Sequence, residues 1–571
     1  MDFSGPSRSP VADGLYEVLE RYSSERRGDA AMEKIIYNAK VYTMDQEDRV
    51  CEAIAIKGNK IVAVGNFQDV SQVLEGRPEK IDAGGRVVLP GFNDAHNHLL
   101  KSGISLKYCD LTRATRIDHI IDAGKDYIDS NHPKEGTWIL GRGWNEVYFD
   151  EKRMPNRYDL DKISTVHPIA FIRTCEHAVV VNSKAIELTG ITKDTPQVGG
   201  GEFQVLENGE PNGVFKDLAR DMIYRAIPEP DKTEIKEYIL TALNMATSVG
   251  VTSIQTDDFW SIPSKNFKKI TEAYEELAEE GKLPVRVYEQ CVLEEMESLE
   301  RFLAFGYKTG YGNDFFKIGP FKMFVDGAMG SRTAYFEDAY SDDPQSFGLP
   351  IHSRETMFEM MSRANRSGMN LIAHAIGSKA IKMCFDTYEA VRRANGADSI
   401  RPAIIHAQAT SEKQNYEFAE KDVIAVVDPG ILHDDIHMVE QRIGHERAKH
   451  SYNYKTLLEN NTHMAISTDW PITPINPMYG IYAAATRKDN NGFPPEGWFS
   501  EQAISVYDSV RAYTYEPAYL SNEETRKGTI EEGKLADIVI LSDDIFTIDK
   551  EKILNVKAAL TMVNGEVVYK A

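Results

Sequence analysis

The stretch Val87-Val-Leu-Pro-Gly-Phe-Asn-Asp-Ala-His-Asn-His-Leu99 places two histidines directly after an apolar run. Side chains alternate along a strand, so His96 and His98, two positions apart, point the same way and can bind one divalent ion. Four more polar residues follow short apolar runs in the same manner: Lys322, His374, His406 and Asp469. Ligands so far apart in the chain can meet only at the strand ends of a barrel. The sequence therefore predicts a six-residue metal site at one end of a barrel.

Eight apolar runs fit the eight strands that a (β/α)8 barrel needs. Helical patterns separate most of them, for example 267–280 and 354–367, where apolar residues recur every three to four positions. Alternating strands and helices imply parallel pairing and an α/β fold class. The eight predicted runs are 87–92, 250–255, 284–288, 315–321, 369–373, 401–405, 422–427 and 463–468.

The rest of the chain predicts two further domains and one extension. Short strand patterns at residues 32–88 and 526–571, the latter with a hairpin turn at Asn564-Gly565, predict one small β-sandwich built from both chain ends. Far more residues separate the first two barrel strands than the ~2–6 of a usual βα loop, which predicts an inserted α/β subdomain at 105–230 lining the active site. The barrel then comprises 89–104 and 231–525. The polar, Pro/Ser-rich residues 1–31 are predicted to be a disordered extension or tag.

Composition excludes several classes of protein. The 571 residues are 42% hydrophobic and carry a net charge of −23, which disfavours nucleic acid and anionic membranes as partners. The five cysteines are odd in number and far apart, so no disulfide framework is expected and the compartment is expected to be reducing. No apolar run approaches the ~18–20 residues of a membrane span, and residues 1–31 lack a signal-peptide core. We therefore expect a cytoplasmic protein.

An ordered set of motifs resembles one enzyme superfamily. The motifs are Ala95-His-Asn-His98, Lys322-Met-Phe-Val-Asp-Gly-Ala-Met-Gly-Ser-Arg-Thr333, Ala373-His-Ala-Ile-Gly377, Ile405-His-Ala407, Ser467-Thr-Asp-Trp-Pro471 and the segment Lys527–Leu541. Together they resemble the amidohydrolase superfamily over residues 33–571. Within it they resemble the amidohydrolase-3 group of metal-dependent hydrolases, which includes N-substituted formamide deformylase. The resemblance implies an enzyme acting on carbon–nitrogen bonds other than peptide bonds.

The resemblance also implies a cofactor and a mechanism. His96, His98 and Asp469 would hold one metal and His374 and His406 the other, with Lys322, carbamylated by CO2, shared between them. Imidazole and carboxylate ligands suit one or two Zn²⁺ ions, and also Mn²⁺ or Fe²⁺. Hydroxide bound to the metal would attack the amide of an N-acyl or N-formyl amine. Asp469 would act as base and then as acid.

Candidate substrate contacts come from the insertion and from the motifs themselves. Trp144 and His177 lie in segments of the insertion that look like family segments, and Asp326, Arg332 and Trp470 belong to the motifs above. Structural alternatives remain open at this stage. Trp144 and His177 would also fit a core indole and a buried polar histidine. Lys322 could pair with Asp326 or another carboxylate, and Asp469 could cap a helix.

Other functions remain open from the sequence alone. A cyclic amide hydrolase of the same superfamily would use the same ligands. A deaminase would typically use one metal and no carbamylated lysine, so Lys322 argues against it. Some barrels of the superfamily have lost their ligands and serve as binding or assembly scaffolds, which the complete ligand set disfavours. The expected partner is a small-molecule amide, and the sequence allows a homodimer.

Overall fold

The fold is built on a parallel barrel. The structure, a computed structural model, describes residues 32–174, 177–396 and 400–571, and the extension predicted at 1–31 lies outside them. Within the described residues, eight strands form one parallel sheet in chain order. These barrel strands are Phe92–Asn97, Val251–Thr256, Arg286–Val292, Phe316–Phe324, Leu371–Gly377, Ala403–Ala409, Ile424–Val427 and Met464–Ile466.

The first and eighth strands close the barrel. The backbone oxygen of His96 accepts a hydrogen bond from the Asp469 N–H at 2.9 Å, and the His98 N–H donates to the Trp470 oxygen at 2.8 Å. Nearly every residue of the eight strands is buried. This burial on both faces explains why the strands are continuous apolar runs rather than alternating ones. The predicted α/β class and the (β/α)8 barrel are confirmed.

Helices alternate with the barrel strands. The side chains of Asn266, Ser353 and Ser411 cap the helices that follow them by accepting from backbone N–H groups of the first turn. The helices of this layer are Lys232–Ser248, Phe267–Glu279, Met296–Ala304, Arg354–Arg366, Ser378–Asn395, Glu412–Glu420, Tyr454–Glu459 and Pro477–Thr486. Shorter helices are Phe67–Gln72, Leu432–Asp435, Val439–Ile443, His445–Ala448, Val506–Ala512 and Tyr515–Leu520, with 3₁₀ turns at Pro429–Ile431, Ser500–Gln502 and Lys550–Asn555. In the part of the chain that is described, no helix combines the length and apolar character needed to cross a membrane.

The chain ends form two further sheets. Among the described residues, a four-stranded sheet orders the strands Lys60–Gly65, Ala53–Lys57, Glu33–Tyr37 and Glu79–Asp82. A six-stranded sheet orders Glu566–Lys570, Ala558–Val563, Ile538–Leu541, Val87–Pro90, Lys40–Tyr42 and Val50–Cys51, thereby joining both ends of the chain. Ile36, Ile54 and Ile56 from the first sheet share a buried core with Val88 and Ile538 from the second. Two sheets around one core are the packing of a β-sandwich.

The chain divides into two compact units. The larger comprises residues 32–100, Ile239–Ser261 and Lys265–Ala571, and it contains the barrel and both end sheets. The smaller comprises Lys101–Tyr238 with Ile262–Ser264. Within its described part, six strands form one mixed sheet in the order Gly201–Val205, Pro211–Asp217, Ala178–Val181, Ile169–Arg173, Ile139–Trp144 and Cys109–Asp110. Its helices include Ile117–Asn131, Arg157–Asp161, Ser183–Thr189 and Asp221–Tyr224.

Candidate metal centre

The larger unit brings the six predicted ligand residues together at the carboxyl ends of the barrel strands. His96 lies in the first strand, Lys322 in the fourth, His374 in the fifth and His406 in the sixth. His98 directly follows the first strand, and Asp469 lies three residues beyond the end of the eighth. Polar side chains at this end are where barrel enzymes carry their chemistry. All six residues therefore lie at the same end of the barrel.

Asp469 lies between the two histidines of the first strand. Its Oδ1 is 3.1 Å from His98 Nε2 and 3.5 Å from His96 Nε2. Atoms of these three residues that can bind a metal all lie within 4.8 Å of one another. The Oδ1 atom is buried, and no hydrogen-bond partner for it exists among the described residues. The three side chains thus present two nitrogens and one unsatisfied oxygen to a common point.

The remaining three residues extend this group. The rings of His374 and His406 are 4.5 Å apart between centroids, and the ring of His406 is 6.1 Å from that of His96. The fully buried Lys322 amine is 3.2 Å from His96 Nε2. Lys322 therefore lies inside the histidine cluster, where an unmodified ammonium needs a counter-ion.

The backbone at two of these residues is in an unusual conformation. His406 has φ 72° and Asp469 has φ 51°, values in the left-handed region that residues other than glycine seldom adopt. Such conformations cost about 1–3 kcal/mol each and persist only when the surroundings hold them. The buried Asp94 holds the second: its Oδ1 accepts from the Thr468 N–H at 2.9 Å, directly before Asp469. The surrounding structure therefore stabilises an unfavourable backbone conformation that places these side chains at the site.

Three of the histidines are oriented by a partner on Nδ1. Gln290 Oε1 lies 2.8 Å from His96 Nδ1, Asp428 Oδ2 lies 2.5 Å from His406 Nδ1, and Asp257 contacts His98 Nδ1. A partner on Nδ1 fixes the ring and leaves Nε2 as the nitrogen that can bind a metal, which is the usual arrangement around protein metal ions. Each of the three rings therefore offers Nε2 as its metal-binding atom once that nitrogen carries no proton.

Burial and charge set the protonation of the cluster. Burial, together with the positive charge of Lys322, lowers the pKa of His96 well below its usual range. Burial lowers the pKa of His374 as well. For His98 burial acts in the same sense, but the charges of Asp257 and Asp469 outweigh it and raise its pKa to about 10. For Asp469 burial is outweighed by the close contact and charge of His98, which hold the pKa of this carboxyl below its usual range.

Sequence reasoning missed three of the residues around this cluster, namely Asp257, Gln290 and Asp428. Two of them carried a signal, because Asp257 directly follows the second barrel strand and Asp428 directly follows the seventh. A polar residue at the carboxyl end of a barrel strand is a candidate by position alone. Gln290 lies inside the third strand, and its role depends on contact with His96, which the sequence does not show. The sequence also allowed Lys322 to pair with Asp326 or another carboxylate. In the structure its amine contacts Asp257 and not Asp326.

Asp326 supports the site through the backbone. It is fully buried, and its carboxylate accepts hydrogen bonds from the N–H groups of Tyr335, Ile376 and Gly377 at 2.8–3.0 Å. Burial raises its pKa to about 7. Its Oδ1 is 3.7 Å from His374 Nε2. Asp326 therefore ties the loop after the fourth strand to the strand that carries His374.

The other predicted substrate contacts lie in varied surroundings. In the larger unit, Arg332 makes a two-pronged contact with Asp342 at 2.8 and 3.1 Å, and Trp470 is largely buried. In the smaller unit, Trp144 is fully buried and its indole N–H donates to the Phe171 oxygen at 2.8 Å. His177 is exposed, with its Nδ1 3.1 Å from Asp217 Oδ1. Trp144 therefore serves the core of its own unit, and substrate binding by these residues stays a prediction.

Comparison with known proteins agrees with the geometry. A model of the amidohydrolase family matches residues 79–569, and the chain belongs to this family. It is 31% identical to YtcJ of Bacillus subtilis (strain 168), assigned as an amidohydrolase, over 94% of this chain and all of that protein. It is 25% identical to the N-substituted formamide deformylase of Arthrobacter pascens, over 94% of this chain and 98% of that protein.

The fold is also similar to that of a solved hydrolase structure. A metal-dependent hydrolase from Pyrococcus furiosus, of uncharacterised activity, superimposes with a TM-score of 0.75. The two chains are 26% identical, and the match covers 90% of this chain and 100% of the other. The resemblance inferred from the motifs is thereby confirmed. The protein is an enzyme, a metal-dependent hydrolase of the amidohydrolase superfamily.

Proposed function

We propose that this enzyme hydrolyses the C–N bond of a small amide of the N-acyl or N-formyl amine type. The observation that carries the proposal is the group of buried His96, partly buried His98 and buried Asp469, which converge beside Lys322 at the carboxyl ends of the barrel strands. The full-length similarity to an N-substituted formamide deformylase supports N-formyl amines as the first substrates to test.

The residues fit a divalent cation. Imidazole nitrogen and carboxylate oxygen are the ligands of catalytic zinc, and they also suit Mn²⁺ and Fe²⁺. The unsatisfied Oδ1 of Asp469 is an acceptor buried beside two histidine nitrogens, which a cation would complete. We propose that His96, His98 and Asp469 hold Zn²⁺ and that His374 and His406 hold a second ion.

Lys322 decides between one and two ions. An ammonium group repels a cation, whereas a lysine that has reacted with CO2 offers two carboxylate oxygens. In that reaction the lone pair of the neutral amine forms an N–C bond with CO2 and one proton leaves to water. Its complete burial among His96, His374 and His406 would let the resulting carboxylate serve both ions.

The reaction needs a proton carrier and a polarised carbonyl. A divalent ion bound here supplies the Lewis acid, which polarises a carbonyl and lowers the pKa of water. The Asp469 carboxylate then takes the proton as water oxygen attacks the carbonyl carbon, and it passes that proton to the nitrogen as the C–N bond breaks. Because the pKa of Asp469 lies below its usual range, the carboxylate starts ionised. The products are a carboxylic acid and an amine.

A substrate panel with metal analysis tests this function. Purified enzyme should contain one to two equivalents of zinc or a similar divalent ion and should release amine from N-formyl or N-acyl amines. Chelation should abolish this activity, and added Zn²⁺ should restore it. Activity confined to cyclic amides, or ammonia release from aminopurines, would replace the proposal with one of the alternative reactions. Stoichiometric metal in a variant lacking both His96 and His98 would refute the ligand assignment.

A further inference from the structure

One carboxylate outside the predicted ligand set contacts two members of it. Asp257 directly follows the second barrel strand and is 4% exposed. Its Oδ1 contacts His98 Nδ1, and its Oδ2 contacts the Lys322 amine. Under the proposed function, His98 belongs to one metal position and Lys322 to both. Asp257 is therefore placed to control the orientation of both ligands at once.

We propose that Asp257 is a positioning residue that accepts the remaining N–H of carbamylated Lys322 and thereby sets the direction of its carboxylate. This inference rests on the proposed modification of Lys322. Reaction with CO2 leaves one hydrogen on the nitrogen, because the ammonium group loses one proton to become a neutral amine and a second proton as the N–C bond forms. That hydrogen continues to need an acceptor, since Lys322 is fully buried.

The geometry at the nitrogen then fixes the carboxylate. In a planar carbamate the N–H bond and the bond to the carboxylate carbon diverge from the same nitrogen. An N–H directed at Asp257 Oδ2 therefore sends the carboxylate away from Asp257. Charge favours the same arrangement, because two carboxylates in a buried site repel each other strongly. The amine lies 3.2 Å from His96 Nε2, so the histidine cluster is within reach of the new oxygens.

The second oxygen of Asp257 acts on His98. Its contact with His98 Nδ1 fixes the ring so that Nε2, the nitrogen that can bind metal, lies 3.1 Å from Asp469 Oδ1. A carboxylate has two acceptor oxygens and meets both demands. An asparagine has one acceptor oxygen and one donor amide, so it can serve His98 or Lys322 but not both. An alanine serves neither.

The adjacent Asp258 offers a matched control. It is also fully buried, but its oxygens accept from the Leu100 N–H at 2.8 Å and from the Tyr274 hydroxyl at 2.5 Å. Asp258→Asn therefore removes a carboxylate of the same type, one position along the chain, without removing the contacts to His98 and Lys322. This variant therefore shows how far the loss of any buried carboxylate at this strand end lowers carbamate formation and zinc content.

The test measures modification and metal rather than turnover. Wild type, Asp257→Asn, Asp257→Ala and Asp258→Asn are incubated with ¹³C-bicarbonate and Zn²⁺, their folding is checked by circular dichroism, and carbamate is read by ¹³C NMR and zinc by elemental analysis. We expect the carbamate signal and the second zinc equivalent to be lost in Asp257→Ala and reduced in Asp257→Asn. Asp258→Asn should match wild type.

The outcomes separate this inference from the proposed function. Folded Asp257→Ala and Asp257→Asn proteins with a wild-type carbamate signal and two zinc equivalents would overturn the role of Asp257 and leave the modification intact. Absence of a carbamate signal from wild type itself would overturn the modification of Lys322, and the role of Asp257 with it. Equal loss in Asp258→Asn and Asp257→Asn would show a general effect of buried acids and would also overturn the role of Asp257.

Discussion

Asp469 combines two properties that a ligand alone would not need. Its backbone is held at φ 51°, and its Oδ1 lies 3.1 Å from His98 Nε2 without making a hydrogen bond to any described residue. An exposed helix cap, the structural alternative for this residue, would be free of both features. The placement instead leaves one carboxylate oxygen without a hydrogen bond at the point where the histidines converge.

Asp469→Asn separates metal binding from proton transfer. Asparagine keeps the shape and one ligand oxygen but cannot accept the proton, so metal should stay largely bound while kcat falls by ~10²–10⁴. KM should change little, because the ground-state amide gains nothing from the carboxylate. The deficit should be smaller for anilides, whose leaving amine needs less protonation. Near wild-type kcat on alkyl amides with metal retained would remove Asp469 from proton transfer.

Some residues of the candidate site could be predicted from the sequence, and others could not. His96, His98, Lys322, His374, His406 and Asp469 were predicted because each follows an apolar run and each lies in a motif that resembles the amidohydrolase superfamily. Gln290 and Asp257 act through contacts with residues 194 positions away and 65 positions away. Such contacts depend on strand register, which apolar runs do not specify at single-residue precision. The missing information is therefore spatial rather than chemical.

At the scale of elements, the strands were located more accurately than their ends. The run predicted at 315–321 becomes the longer strand Phe316–Phe324, and the run at 422–427 shortens to Ile424–Val427. The boundaries move because pairing with neighbouring strands, rather than apolar content, ends a strand. The sequence did not predict the individual strands of the smaller unit. Its edge strand Gly201–Val205 is polar and carries no apolar run that would mark it. The hairpin turn at Asn564-Gly565 was predicted, and both residues have the positive φ that this turn demands.

Gly565→Ala tests that hairpin. Gly565 has φ 79°, and a Cβ there would lie 2.2 Å from the Gly58 backbone oxygen. Gly533 has φ 85° with open space around its Cβ position, so Gly533→Ala carries only the conformational cost of roughly 1–2 kcal/mol. Gly565→Ala should lose ~1–3 kcal/mol more, because backbone cannot move aside as a side chain can. Urea unfolding of both variants measures the difference, and equal losses would contradict the close approach.

At the scale of the whole larger unit, buried ion pairs connect the barrel to the C-terminal segment. Arg286 of the third barrel strand makes two hydrogen bonds to Asp537, at 2.7 and 3.0 Å, just before the strand Ile538–Leu541 of the six-stranded sheet. Glu523 contacts Lys317 of the fourth strand and Lys527, the latter at 2.8 Å. Removing one partner of such a pair leaves a buried charge uncompensated. The barrel and the sandwich therefore depend on each other for stability.

The stability contributed by the ion pairs of Glu523 is expected to decrease in acid. Burial alone would raise its pKa, but the charges of Lys527 and Lys317 outweigh it and hold the pKa of Glu523 below its usual value of 4.5. The unfolded chain therefore binds this proton at higher pH than the folded chain, so the stabilisation is complete above about pH 5 and declines as pH falls below it. Glu523→Gln should be less stable than wild type at pH 7 but should lose stability less steeply between pH 5 and pH 3.

The thermal unfolding midpoint against pH measures this difference. Glu524→Gln is the matched control, because Glu524 contacts Arg401 at 2.8 Å rather than the two lysines. It removes a carboxylate of the same type at the next position and should keep the wild-type slope in acid. If Glu523→Gln and wild type instead lose stability in parallel below pH 5, the folded-state pKa of Glu523 is not depressed. The acid sensitivity of the unit would then reside in other carboxylates.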